Sequence, residues 1–215
     1  MKKRETKKFD IGKIVIIFII GAVLGYFIET FYHIIKHGTY VSKRGLLYGH
    51  IKPIYGVGTV IATILVGFFK DRSKTEVFVF GSIVGGVFEY LCSLFLEIFF
   101  GTRMWSYANM GFDIHGRVFV PYLPMWGFIA VFWAFVFVPY FDKIYYKIAK
   151  KPRNILTIIL SAFLIFNIAI SSLAVWRMKA RDNGDKASNF YERFMDKHYS
   201  DRFIRKRVPY IKIIK

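Results

Sequence analysis

Residues 14–35 read Ile-Val-Ile-Ile-Phe-Ile-Ile-Gly-Ala-Val-Leu-Gly-Tyr-Phe-Ile-Glu-Thr-Phe-Tyr-His-Ile-Ile. A helix of about 20 apolar residues crosses a hydrocarbon core of roughly 30 Å, and this run is long enough. Its residues do not alternate between polar and apolar, so a barrel strand is excluded. A helix is the structure that satisfies its own backbone in lipid. Within the run stands Glu29, a residue that costs roughly 2.5–3.5 kcal/mol at a bilayer centre and therefore needs a polar neighbourhood. The basic preface Met1-Lys2-Lys3-Arg4 imitates a secretory signal. No small-x-small cleavage site follows it, and Glu29 sits where such a peptide would be cut, so an uncleaved first span is expected.

Four further apolar blocks follow, at about Pro53–Phe69, Val77–Phe100, Val118–Phe141 and Ile155–Val175. The expected fold is an all-α membrane protein of about five transmembrane helices, with two parallel two-helix repeats, one extra helix and a basic amphipathic C-terminal tail. The expected divisions are a basic cytoplasmic N-terminus at 1–13, repeat 1 at 14–70, repeat 2 at 76–141, a fifth span at 154–176 and the tail at 177–215. Composition agrees: hydrophobic residues make up 55% and aromatics 20% of the chain, and mean hydropathy is +0.38 in spite of 32 Lys and Arg residues. The apolar residues must therefore be concentrated in blocks.

The formal net charge of +18 sits between the blocks and at the termini, and no base-reading motif accompanies it. Nucleic acid is accordingly excluded as a partner, and topology control and contact with anionic membrane lipid or wall polymer are the expected uses of the charge. Cys92 is the single cysteine, which rules out an internal disulfide or a cysteine zinc site. Basic residues before the first span, at Lys70, Arg72 and Lys74, and from Lys143 to Arg153 outweigh those in the alternate loops, which favours a cytoplasmic N-terminus in a multi-pass cell-membrane protein. The tail conflicts with this, because five spans would place its dense Lys and Arg residues outside. A sixth, half-buried segment would reverse the tail. Asn189 and Glu192 resemble a capping box. Phe190, Tyr191, Phe194 and Met195 then recur at helical spacing, either as a helix lying on the membrane surface or as a tail packed on the protein's own loops.

The chain also repeats itself. Gly25-Tyr-Phe-Ile-Glu29, Gly38, Arg44-Gly45 and Pro53-Ile-Tyr55-Gly56 are followed by Gly85-Gly-Val-Phe-Glu89, Gly101, Gly116-Arg117 and Pro124-Met-Trp126-Gly127. Parallel repeats of this kind place substrate sites between them. Glu29 and Glu89 are expected to line one shared cavity, with Arg44 and Arg117 as their partners. Each proline either loosens the entrance of the following span or simply starts its helix. Glu29, His33 and His37 share one helix face, as do Glu89, Ser93 and Glu97; both are expected to be polar stripes facing a cavity, with no metal and no cofactor. The loop from Gly101 to Arg117 crowds Arg103, Trp105, Tyr107, Asn109, Asp113, His115 and Arg117 together, and reads as a capped binding site. The candidate ligand-binding residues are Glu29, Arg44, Tyr55, Glu89, Glu97, Trp105, Tyr107, Asp113, Arg117 and Trp126.

The blocks Arg44-Gly-Leu-Leu-Tyr48-Gly, Pro53-Ile-Tyr-Gly-Val-Gly58, Glu89-Tyr-Leu-x-Ser93 with Glu97, Trp105-Ser-Tyr107 and Gly116-Arg117 resemble the family of ABC-transporter type IV, CmpB-like permease proteins. The resemblance runs from about Gly21 to Gly127. The family's usual Trp-Asp-Tyr appears here as Trp105-Ser106-Tyr107, and its Phe-Asn as Phe112-Asp113. It implies a permease-type role without a substrate. No Gly-Lys-Ser/Thr phosphate loop is present, so ATP hydrolysis would belong to a separate ATPase subunit; a homo-oligomer is the other expected assembly. The leading expectation is a permease-like protein that binds a polar or amphipathic ligand between its repeats, a transporter subunit rather than an enzyme. The alternatives are an intramembrane enzyme acting on a lipid or lipid-linked substrate and a non-catalytic assembly or lipid-binding partner.

Overall fold

The computed structural model describes residues 10–69 and 71–214. Lys2, Lys3, Arg4, Lys7, Lys8 and Lys70, which carry part of the orientation argument, lie outside the described residues. Helix α1, Ile11–His37, begins at Asp10, whose side chain accepts from the Lys13 amide, and ends at Gly38 in the left-handed region. After a loop comes α2, Pro53–Phe69. Helix α3, Lys74–Phe100, starts from a reciprocal Ser73–Glu76 capping box and stops at left-handed Gly101. A tight turn at 120–122 leads into α4, Leu123–Phe132, then a π-helical turn over 133–137, then α5, Val138–Tyr145. Helix α6 is Lys150–Asp182.

Among the described residues, four helical segments are long and apolar enough to cross a membrane, 11–37, 74–100, 120–145 and 150–182. The fifth apolar helix, α2, has 17 residues and is therefore about 25 Å long. Large apolar side chains such as Ile28, Phe31, Ile83, Phe128, Ile158 and Ile165 stand outward on these helices, as lipid-facing residues do. The molecule is an all-α membrane protein, and the strands among the described residues are four two-residue pieces.

Two interfaces dominate the packing, α1 on α2 and α3 on α4, and both are built on glycine. A Cβ at Gly21 or Gly25 of α1 would strike Thr59 or Tyr55 of α2, and one at Gly81 or Gly85 of α3 would strike Ala130 or Trp126 of α4. The fit is mutual, because Gly56 lies on Phe18 and Gly127 on Phe78. With lipid tails as apolar as leucine, close approach of small residues is what holds membrane helices together.

Both prolines that precede an aromatic residue and a glycine start helices: Pro53 is the first residue of α2 and Pro124 lies in the first turn of α4. The irregular backbone expected at the entrance of the fourth span lies instead in its middle, at the π-turn. Pro139 has no N–H to give to the preceding turn, and the Val138 amide reaches back to the Trp133 carbonyl. The Trp133 indole N–H there donates to Thr63 Oγ1 of α2 at 2.9 Å.

Contacts fix the two ends of the bundle. At one end the Tyr145 hydroxyl donates to Asp10 at 3.0 Å, and Lys13 pairs with Asp142 at 2.6 Å. At the other end the loops after α1 and α3 meet the segment that follows α6. Strand β1, Thr102–Arg103, pairs antiparallel with β4, Lys212–Ile213. Arg177 pairs with Asp196 at 2.8 Å, and Arg181 with both Asp196 and Asp201. Helix α6 thus delivers the tail to the end opposite Asp10. The described residues hold no sixth span that would reverse it, since α7, Phe190–His198, and α8, Asp201–Arg207, have 9 and 7 residues. With 33 residues, α6 is about 50 Å long, so its last turns extend beyond the hydrocarbon.

Of the two readings of the tail, packing on the protein's own loops describes most of it. Met195, Tyr199, Ile204, Val208 and Ile211 are buried with Leu47, Ala174 and Met178, while Phe190 stays exposed. The Asn189 side chain caps α7 by accepting from the Glu192 amide at 2.9 Å. The Glu192 carboxylate returns to Ser188 rather than to the Asn189 backbone, so the box is displaced by one residue.

Candidate functional site

A cavity of ≈ 470 Å³ lies between the α1–α2 and α3–α4 pairs, under the loops. Both in-span carboxylates line it, Glu89 buried and Glu29 half-buried. Glu29 is one turn beyond Gly25 on the same face of α1, and the close approach at Gly25 brings the start of α2 within its reach. Tyr55 Oη donates to Glu29 Oε1 at 2.9 Å, and the Lys52 ammonium forms an ion pair with Oε2. Burial lowers the Lys52 pKa, with the Glu29 carboxylate opposing it.

Glu89 stands one turn beyond Gly85 in the same manner and is 7% exposed. Its donors are neutral: Tyr107 Oη to Oε1 at 2.9 Å and Trp126 Nε1 to Oε2 at 3.0 Å. Burial and the neighbouring carboxylate push the Tyr107 hydroxyl pKa up, so it stays a donor. No Lys or Arg lies within ion-pair distance of Glu89 among the described residues. One half therefore meets its carboxylate with a cation and the other with two neutral hydrogen-bond donors.

Seven of the ten residues expected from the sequence line the cavity: Glu29, Arg44, Tyr55, Glu89, Trp105, Tyr107 and Trp126. The other three do not. Arg117 donates to Glu97 at 2.8 Å and to Ser93 at 3.2 Å, Arg103 joins the same Glu97 at 2.7 Å, and Glu97 raises the Arg117 pKa. The polar stripe of α3 thus divides, with Glu89 toward the cavity and Ser93 and Glu97 bound by Arg117. Asp113 Oδ1 accepts from the Gly116 amide at 2.6 Å and shapes the turn of the small hairpin in which Asp113–Ile114 (β2) pairs with Val118–Phe119 (β3). Trp105 ties this loop down by donating from Nε1 to the Arg117 carbonyl at 3.0 Å.

The expected Arg44–Glu29 and Arg117–Glu89 pairs do not form. Arg44 meets His50 at 2.8 Å, and Lys52, directly before Pro53, takes its place beside Glu29. Lys36, Lys43, Tyr32, Tyr122 and Tyr210 are cavity residues that the sequence reading missed. Lys52 had a signal, since it precedes the Pro-Ile-Tyr-Gly element. Tyr210 had none, because the tail brings it from far along the chain, where its ring meets the Lys43 ammonium at 3.3 Å and its hydroxyl lies 3.4 Å from His33 Nδ1. The His33 and His37 rings lie 4.6 Å apart, tilted by 34°, and among the described residues no group of three or more His, Cys, Asp and Glu is placed to hold a metal ion.

Comparison with known proteins identifies one pattern. A family model described as "Putative ABC-transporter type IV" matches residues 16–172. The match runs from within α1 to about two-thirds of the way along α6 and leaves the tail outside. No curated protein and no solved structure matches the chain.

Proposed function

The chain belongs to the Putative ABC-transporter type IV family, and from that premise we propose that it is a permease-like transporter subunit that binds a polar or amphipathic ligand in the cavity between its two helix pairs. The observation that carries this reading is the convergence of two carboxylates set within the spans, Glu29 and Glu89, on one cavity, each held by groups from its own half. Two related halves around a central site are the arrangement that rocking transporters use. In support of a repeat, Phe18, Gly21, Gly25 and Glu29 recur at one constant offset as Phe78, Gly81, Gly85 and Glu89, and Tyr55 and Gly56 recur as Trp126 and Gly127. On this reading the glycine-packed pairs move as units and the looser seam between them opens.

The N-terminus is cytoplasmic and the membrane is the cell membrane in the same proposal. The basic groups from Arg72 to Lys74 and from Lys143 to Arg153 flank the Asp10 end, and the tail at the other end spends Arg177 and Arg181 on its own aspartates. A separate ATPase subunit would supply energy. The test uses a strain lacking the gene, complemented with wild type or with the Glu29→Gln/Glu89→Gln double variant, both checked for equal amounts in the membrane. Metabolite profiles of cells and medium should show compounds redistributed by wild type and not by the variant. Equal restoration by both overturns the reading.

A further inference from the structure

We propose that the cavity's occupant is an anionic lipid that enters sideways from the hydrocarbon, between α1 and the start of α4. The inference rests on the permease-like reading of the same cavity and names its substrate class and its route.

The route is visible in residues that belong to two surfaces at once. Ile28 and Tyr32 of α1 and Met125 of α4 line the cavity, yet they stay 61%, 53% and 52% exposed, more than half of each side chain being uncovered by the protein. The cavity wall there is also the lipid-facing surface. These two helices are not a principal packing pair, and the hydrogen bond that bridges the gap, between the Tyr32 and Tyr122 hydroxyls, is 3.4 Å long. Hydroxyl pairs normally sit near 2.7–2.8 Å, so this latch opens at small cost. A soluble solute has no reason to approach by an apolar flank, whereas an acyl chain is already there.

The head group is selected by charge. Lys36, Lys43 and Arg44 line the loop end of the cavity, and none has a carboxylate at ion-pair distance among the described residues. Arg44 Nε is buried with no hydrogen-bond partner. Glu29 makes its direct contacts with Lys52 and Tyr55 and reaches Lys43 only through space, and Glu89 is turned to Tyr107 and Trp126. The cavity is therefore left positive at the level where head groups lie, and phosphate or carboxylate oxygens complete its charge-assisted bonds. Ile54 and Met125 in the first turns of α2 and α4, with Met104 and Met110 from the loop after α3, add an adaptable apolar lining of the kind thioethers provide. The volume of ≈ 470 Å³ suits a small-molecule-sized group. A head group and the first part of a chain fit inside, and the rest of the chain runs out past Ile28 and Met125.

The experiment is native mass spectrometry of the delipidated full-length protein with three probes: 1-palmitoyl-lysophosphatidic acid, uncharged 1-monopalmitoylglycerol and inorganic phosphate. The expected result is retention of the lysophosphatidic acid at least about tenfold above the neutral lipid, with no retention of phosphate. A Lys43→Gln/Arg44→Gln variant should lose about tenfold in affinity, the size expected when charge-assisted contacts are removed. An Ile28→Trp/Met125→Trp variant should take up the lipid more slowly. Equal retention of the neutral and anionic lipids overturns the head-group assignment, and does so on wild-type protein even where the charge variant fails to fold. Retention of phosphate as tight as that of the lipid identifies a soluble anion, which overturns the sideways route but leaves the cavity as the binding site. If wild type retains none of the three, the inference falls, and the transport test of the Glu29/Glu89 variant decides the broader reading independently.

Discussion

The α1–α2 and α3–α4 pairs share a glycine-faced packing plan, with a glutamate one turn beyond the second of two glycines, and they satisfy that glutamate differently. In the first pair, Lys52 and Tyr55 give Glu29 a cation and a hydroxyl. In the second, Tyr107 and Trp126 give Glu89 two neutral donors. A buried ion pair removes both charges together and is costly to break from either side. A carboxylate among neutral donors keeps its charge available to whatever enters the cavity. On the proposed reading, the first half supplies the fixed wall and the second half the responsive one.

The comparison breaks most visibly at Lys52. Lys52→Met would leave Glu29 without its cation. Breaking a buried pair costs 3–5 kcal/mol, and since the Glu29 side chain is 29% exposed the expected loss is at the lower end, about 3 kcal/mol. Thermal denaturation of the detergent-solubilised protein measures it, and adding Glu29→Leu should return most of the loss. Next in size is overpacking: Gly25→Ala and Gly85→Ala should each cost about 1–3 kcal/mol, because both positions lie against an aromatic ring. Similar losses at the two sites would establish that packing is common to the halves and only the polar solution differs. In the second half, Tyr107→Phe removes one donor to Glu89 while Trp126 remains, and should cost about 1.5 kcal/mol, the low end for a hydrogen bond to a charged group. A loss equal to that of Lys52→Met would overturn the contrast.

The smallest expected effect is a pH response of the tail, which leans on the first half through Tyr210. Arg177, then Arg181, hold Asp196 at about 2, below its unfolded value of about 3.9. Its contribution is therefore present in full above the unfolded value and is lost as the pH falls toward about 2. Hydrogen exchange across residues 190–214 should quicken over that window. Exchange in the loop around Lys43 should follow it, and exchange around Trp126 should not.

The five apolar helices and the placing of both glutamates on one cavity were legible in the sequence, because span length and a charge inside a span are local signals. The partners of those charges were less legible. Arg44 and Arg117 occupy matching places in the proposed repeat, which implies matching roles. The hairpin through Asp113 instead folds Arg117 back over the last turns of α3, onto Ser93 and Glu97, a path that residue order does not encode. Lys52 reads as a loop charge, and it is the close approach of α2 to α1 at Gly25 that brings it beside Glu29. The tail's part in the cavity depends on a two-residue strand pairing between Arg103 and Lys212, too short for any periodicity to announce. The π-turn did leave a trace, in Pro139 within an apolar run.

The Glu29–Lys52 pairing also bears on how the protein is made. A glutamate handed to the bilayer alone during synthesis would oppose insertion of its own helix by roughly 2.5–3.5 kcal/mol. Here each carboxylate finds its partners inside the hairpin being threaded: Glu29 at Lys52 and Tyr55 before the third helix has emerged, Glu89 at Tyr107 and Trp126 before the last. Each hairpin can enter the lipid already provided for, and the site between them then assembles from two parts that were separately admissible to the membrane.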